Sequence, residues 1–115
     1  MQHTRSVSPC IDQTEQDIEA YYRHAEVGQV AVVRHTQGGV LQYRVYEIEG
    51  TNPSRGRVYA RQAGAFYMKH GRNCFHPKGQ TTFVVPTAAV LAWAKEYPQG
   101  GLGYSVYRST GLIGR

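Results

Sequence analysis

The ten residues VLQYRVYEIE, Val40 to Glu49, put apolar side chains at every second position, and a period of two belongs to a strand, not to a helix. Leu41, Tyr43 and Val45 share one face. Past Val45 the apolar set moves to Tyr46 and Ile48. A one-residue slip carries side chains to the opposite face, so the pattern predicts a bulge or a sharp bend there. Alternation broken by turn residues continues on both sides of this run. Gly28 to His35 reads as a strand before it, with Thr36 to Gly39 as the turn between. Gly50 to Gly56, with Pro53, reads as a loop after it. Arg57 to Gln62 follows as a third strand, Ala65 to Lys69 as a bent continuation or a fourth, and Thr81 to Pro86 as the last.

Two stretches carry helical spacing instead. From about Asp12 to Glu26, Ile11, Ile18, Tyr22 and Ala25 fall on one face, Thr14 and Asp17 form a capping box with a shortened acid, and Gly28 can end the helix. Thr87 caps a second helix with Val90, Trp93, Ala94 and Tyr97 on one stripe, and Pro98 ends it. Together these elements predict a mainly β (α+β) fold. It is a small barrel of about five bent antiparallel strands, with an N-terminal helix and a helix near the C-terminus, closed so that sheet edges are not exposed. Residues 1–10 read as a flexible arm and 11–97 as one globular domain. Residues 98–115 read as a glycine-rich tail in which Tyr104, Val106 and Tyr107 could form an edge strand. The segment from Val27 to Ala60, a glycine before a valine-rich strand, a tyrosine-bearing return and a third strand after a polar turn, resembles SH3-like barrels of the Tudor and KOW kind. That resemblance implies contact with RNA or with partner proteins. It does not imply a cage for methylated side chains, because the loop tips lack a cluster of aromatic residues.

Charge is divided along the chain. Residues 1–49 hold four arginines against seven carboxylates, net −3, whereas Gly50 to Lys95 holds seven basic residues and no acidic one. A basic half without internal counter-charge points to an anionic partner, either nucleic acid, a phosphate-bearing ligand or an acidic protein surface. The plainer alternative is a solvated surface that keeps the chain in solution. The longest apolar runs are far short of the ~20 residues that cross a bilayer, and the N-terminus has no apolar signal core, so a cytoplasmic address is expected and no membrane partner. Cys10 and Cys74 are then expected as reduced thiols.

Chemistry concentrates in HGRNCFHPKGQ, His70 to Gln80. As a metal site, His70, Cys74 and His76 offer imidazole and thiolate, with Cys10 or His24 as a fourth ligand, but the spacing matches no zinc finger or ribbon. As a catalytic site, Cys74 has Arg72 and His76 near it to lower a thiol pKa, yet no carboxylate lies between Glu49 and Glu96 to orient a base. As an anion-holding surface, Gly71 and Gly79 free the backbone while Lys69, Arg72 and Lys78 supply charge. Tyr59, Phe66, Tyr67 and Phe75 stand among those charges and offer faces for bases to stack on. Alternation requires half of these rings to be core. The sequence therefore predicts a non-catalytic binding module without a cofactor. Its partner is DNA or RNA, held on a face of Arg55, Arg57, Tyr59, Arg61, Lys69, Arg72 and Lys78, with Arg57, Tyr59 and Arg61 sharing strand parity. The competing readings are a protein-interaction or oligomerisation module, in which tyrosines and strand edges form the contact, and a small Cys/His enzyme or metal site at residues 70–76.

Overall fold

The computed structural model describes residues 13–79 and 81–102. Helix α1 (Glu15–Arg23) starts where the sequence predicts a capping box: the Thr14 hydroxyl accepts the Asp17 N–H at 3.1 Å and the Asp17 carboxylate accepts the Thr14 N–H at 3.0 Å. The helix ends at Arg23, short of Glu26, and Gly28 instead takes a left-handed φ of 95° in the turn that feeds the first strand. The strands β1 (Val30–Gln37) and β2 (Val40–Asn52) form a hairpin with Gly38 and Gly39 at φ 59° and 83°. Two successive positive φ angles make the tight turn whose twist matches that of the strands, which is why two glycines stand there. The antiparallel sheet continues through β3 (Arg57–Ala60) and β4 (Gly64–Tyr67), while β5 (Thr81–Val84) pairs with the other side of β1, giving the order β4-β3-β2-β1-β5. Helix α2 (Ala88–Glu96) follows, capped by Thr87 as predicted, and β6 (Gly101–Leu102) pairs with the start of β2.

The sheet curls into a half-barrel, and residues 71–74 join its two edges. The Tyr67 N–H donates to the Arg72 carbonyl and the Cys74 N–H to the Ala65 carbonyl, both at 2.9 Å, on the β4 side. On the β5 side the Phe83 N–H donates to the Gly71 carbonyl at 2.7 Å, and Arg72 lies opposite Thr82. Gly71 is required here. At φ 78°, a Cβ on it would lie 2.7 Å from the Phe83 carbonyl oxygen and 3.0 Å from Ile18 Cγ2. The first half of the His70–Gln80 stretch is therefore part of the sheet and not a free loop.

Two cores lie on opposite faces of the sheet. Inside the curl, Ile18 and Tyr22 of α1 pack on Ala31, Val33, Ile48, Val58, Phe66, Met68 and Phe83, with the Tyr22, Phe83 and Phe66 rings stacked at centroid distances of 4.2 Å. Outside it, α2 lays Val90, Trp93 and Ala94 over Val32, Leu41, Tyr43 and Val84. This explains the apolar slip in β2. Leu41 and Tyr43 face α2 while Tyr46 and Ile48 face the inner core, and the pairing of β2 with β1 keeps one register throughout. The predicted bulge does exist, but it lies later, between Ile48 and Gly50, on the side of β2 that pairs with β3. Val45, expected to share the fate of Leu41 and Tyr43, is 50% exposed.

Among the described residues no helix is long and apolar enough to cross a membrane. The proposed arm, Ile11, Cys10 and the Tyr104–Tyr107 edge strand lie outside the described residues. Within the expected tail, Gly101 and Leu102 form the short edge strand.

Candidate anion-binding site

Strand register assembles the site. Arg34 of β1 is paired with Thr82 of β5, and Thr82 is bridged in turn to Arg72, so the three residues form a row across adjacent strands. Residues paired in this way present their side chains on the same face of a sheet. The row floors a polar cleft of about 500 Å³. One wall is the start of α1, where Gln13 and Glu15 lie, and the other is the turn Pro77–Gly79 carrying Lys78. Gln13 fixes the first wall. Its carboxamide donates to the Val85 carbonyl at 3.0 Å and accepts the Val85 N–H at 2.8 Å, as a strand neighbour would. That anchor sets the Glu15 carboxylate 3.8 Å from the Arg72 guanidinium.

The loop that forms the second wall is shaped by its own hydrogen bonds. The Asn73 side chain accepts the Phe75 N–H at 2.8 Å, the Asn73 carbonyl accepts the His76 N–H, and the His76 carbonyl accepts the Gly79 N–H. Phe75 is thereby held out in solvent at 72% exposure, on the same loop as Lys78. His70 lines the cleft as well, and its Nδ1 accepts the Arg72 backbone N–H at 3.2 Å. The imidazole proton then sits on Nε2, as a donor.

Of the residues predicted for the site, the cleft gathers Arg72 and Lys78. Arg57 and Tyr59 stand half-buried on the outer face of β3, where the Arg57 guanidinium lies 5.9 Å from the centre of the Tyr67 ring, in cation–π range. Arg55 and Lys69 lie exposed near them, since the Met68 N–H donates to the Gly56 carbonyl and brings those two turns together. Arg61 departs from the prediction. β3 ends at Ala60, so Arg61 belongs to the following turn and shares no strand face with Arg57 and Tyr59; its guanidinium is 3.7 Å from Glu47. Phe66, counted among the stacking candidates, is a core ring. Arg34 escaped the sequence reading because it lies in the acidic half of the chain, and only the pairing of β1 with β5 sets it beside Arg72.

Comparisons of the chain with protein-family models, with curated proteins and with solved structures found no match. The chemistry of the site is thus read from its own residues.

Among the described residues no three His, Cys, Asp or Glu side chains come together as metal ligands, so His70, Cys74 and His76 are not brought into one cluster. The Cys74 thiol pKa is raised by burial, against a smaller lowering from Arg57. The catalytic reading of the sequence requires the opposite, a thiol lowered by Arg72 and His76, whereas the plainer reading is a small half-buried cysteine beside a turn. A thiol held protonated is a poor nucleophile. Among the described residues, the cleft is lined by two guanidinium groups, an ammonium, the Thr82 hydroxyl and an imidazole, together with the Glu15 carboxylate.

Proposed function

We propose that this chain is a non-catalytic nucleic-acid-binding module that holds phosphate in the Arg34–Arg72–Lys78 cleft and stacks a base on Phe75. The observation that carries this reading is the position of Phe75. A phenyl ring 72% exposed is held by an ordered turn between the cleft residues Arg72, on the sheet, and Lys78, on the loop. Exposed aromatic faces beside cationic grooves suit single strands, because every base has a π face and every linkage a charge. Arg57, Tyr67, Arg55 and Lys69 extend the basic surface along β3 and β4, where further phosphates would lie.

Fluorescence anisotropy of single-stranded and duplex DNA and RNA at several salt concentrations tests this. Three cations engaged on a single strand give a log–log salt slope of about −2, from about −0.7 per phosphate neutralised. Absence of binding at low salt by the folded chain overturns the reading.

A second reading, a protein interface, is supported by the groove between β2 and α2. There Val45, Leu91, Ala94 and Pro98 line an apolar space of about 340 Å³. Light scattering across a concentration series distinguishes it, since self-association through apolar surface responds weakly to salt.

A further inference from the structure

Strand β2 has an edge that its neighbours leave uncovered. It pairs with β1 from Val40 to Glu47, whereas on its other side β6 reaches only Val40 and Leu41 and β3 begins only at Ile48. From Gln42 to Tyr46 no strand among the described residues pairs on that side. Hydrogen bonds fix which backbone groups look into the gap. The Arg61 N–H donates to the Glu47 carbonyl at 2.9 Å from the β3 side, while the Ile48 N–H and carbonyl pair with Gln29 and Gly28 on the β1 side. Alternate residues of a strand direct their N–H and C=O the same way, so those of Val45 point into the gap. An apolar groove lies beside them, lined by Val45, Leu91, Ala94 and Pro98, with Val45 and Leu91 exposed. Open backbone groups next to an apolar surface are what an added strand requires.

Charge selects the occupant. The two charged side chains that line the groove are both basic: Lys95 on α2, and Arg44, which alternation places on the reverse face of β2 from Val45. Neither meets a carboxylate among the described residues. The Arg44 Nε donates to the Gln42 carboxamide at 2.8 Å, and the nearby Glu47 is engaged by Arg61. A second copy related by two-fold symmetry would bring the same two cations to the same surface. The chain's own residues 103–115 carry Arg108 and Arg115 and no acidic side chain. β6 also ends heading away from Val45, with Gly101 opposite Leu41 and Leu102 opposite Val40. We propose that the uncovered edge of β2 takes up an extended segment of another protein as an added strand, one in which apolar residues alternate with acidic ones. Its apolar side chains lie on Val45, Leu91 and Ala94, while the acidic ones on its other face meet Arg44, and Lys95 meets an acidic residue at the rim. Gln42 to Tyr46, five residues, span about 17 Å at the rise of a strand, which sets the length of segment that pairs. The groove shares no residue with the cleft, so the inference stands apart from the nucleic-acid reading.

The test uses the full chain and a set of labelled heptapeptides in which valine, leucine or phenylalanine alternates with glutamate. Binding is read by fluorescence anisotropy and by amide hydrogen exchange at Val45. The acidic peptides are expected to bind about tenfold or more tightly than the same peptides with lysine for glutamate. The Val45 N–H should exchange freely in the unbound chain and become protected when they bind. N-methylation of the peptide backbone should abolish binding at one parity of positions and spare it at the other, a split that an apolar contact without strand pairing does not give. Lys95→Gln and Arg44→Gln should each weaken binding severalfold, and Val45→Asp, at an exposed position, about tenfold or more, with unchanged thermal melting showing that the variants fold. Equal affinity for acidic and lysine peptides, binding that leaves the Val45 N–H unprotected, or absence of binding by the whole set overturns the proposal. So does protection of the Val45 N–H in the unbound chain. Protection that grows with concentration assigns the edge to a second copy, and protection independent of concentration assigns it to the chain itself.

Discussion

At Tyr22 a single hydroxyl joins a helix to two strands. It donates to the Val84 carbonyl at 2.6 Å and accepts the Val32 N–H at 3.2 Å, and the ring is fully buried. Tyr22→Phe deprives both backbone groups of that partner, and a loss of about 1–3 kcal/mol is expected in denaturant titration. Burial, the main cause, together with the neighbouring Tyr21 raises the Tyr22 pKa above the ordinary 10.0, against a lowering by the Val32 hydrogen bond. The unfolded chain therefore ionises this group first as pH rises. Its contribution is complete below pH 10 and is lost as pH climbs toward the folded value, so thermal scans at rising alkaline pH should show a steeper decline for the parent than for Tyr22→Phe. Gly71→Ala belongs to the same scale. A left-handed φ and a Cβ 2.7 Å from a backbone oxygen together destabilise the fold by about 2 kcal/mol or more, read from the same titration. The helical spacing of Ile18 and Tyr22 was legible in the sequence, but nothing local to Gly71 tells a turn glycine from one pressed against a neighbouring strand.

The helices were legible for a local reason. A cap such as Thr14 or Thr87 acts on N–H groups three residues away, so composition and spacing suffice to predict it. Thr87→Ala should lower stability by about 1 kcal/mol, and because α2 covers Leu41 and Tyr43 the loss should appear in the global melting transition and not only as local fraying. The strands were located as well, with ends shifted by a few residues. What each face of a strand meets was not legible. β2 serves an inner core with Tyr46 and Ile48 and an outer one with Leu41 and Tyr43, and a sequence read for one buried face reports that as a slip in register. Cys74 illustrates the same limit. Its sequence neighbours are cations, yet burial controls its thiol.

Over the whole molecule the basic half is distributed over several elements. Arg72 and Lys78 line the cleft with Arg34, Arg55, Arg57 and Lys69 lie along β3 and β4, and Arg61 pairs with Glu47 in a turn. The sequence predicts that charge reversal at Arg61 and Arg72 together abolishes binding. The structure divides the two. Arg72→Glu should weaken oligonucleotide binding about tenfold or more, placing a second carboxylate beside Glu15, whereas Arg61→Glu should change affinity little, since an exposed pair outside the cleft contributes only a few tenths of a kcal/mol to about 1 kcal/mol. Anisotropy titrations of the single variants at fixed salt check this. The sequence by itself determined the antiparallel, mainly β character, the two helices with their caps, and the stretch where the chemistry concentrates. These follow from periodicity and from contacts a few residues apart. Only the tertiary structure decided which charges meet. The row Arg34–Thr82–Arg72 joins three segments through strand pairing, and pairing between distant segments leaves no mark in the composition of any one of them.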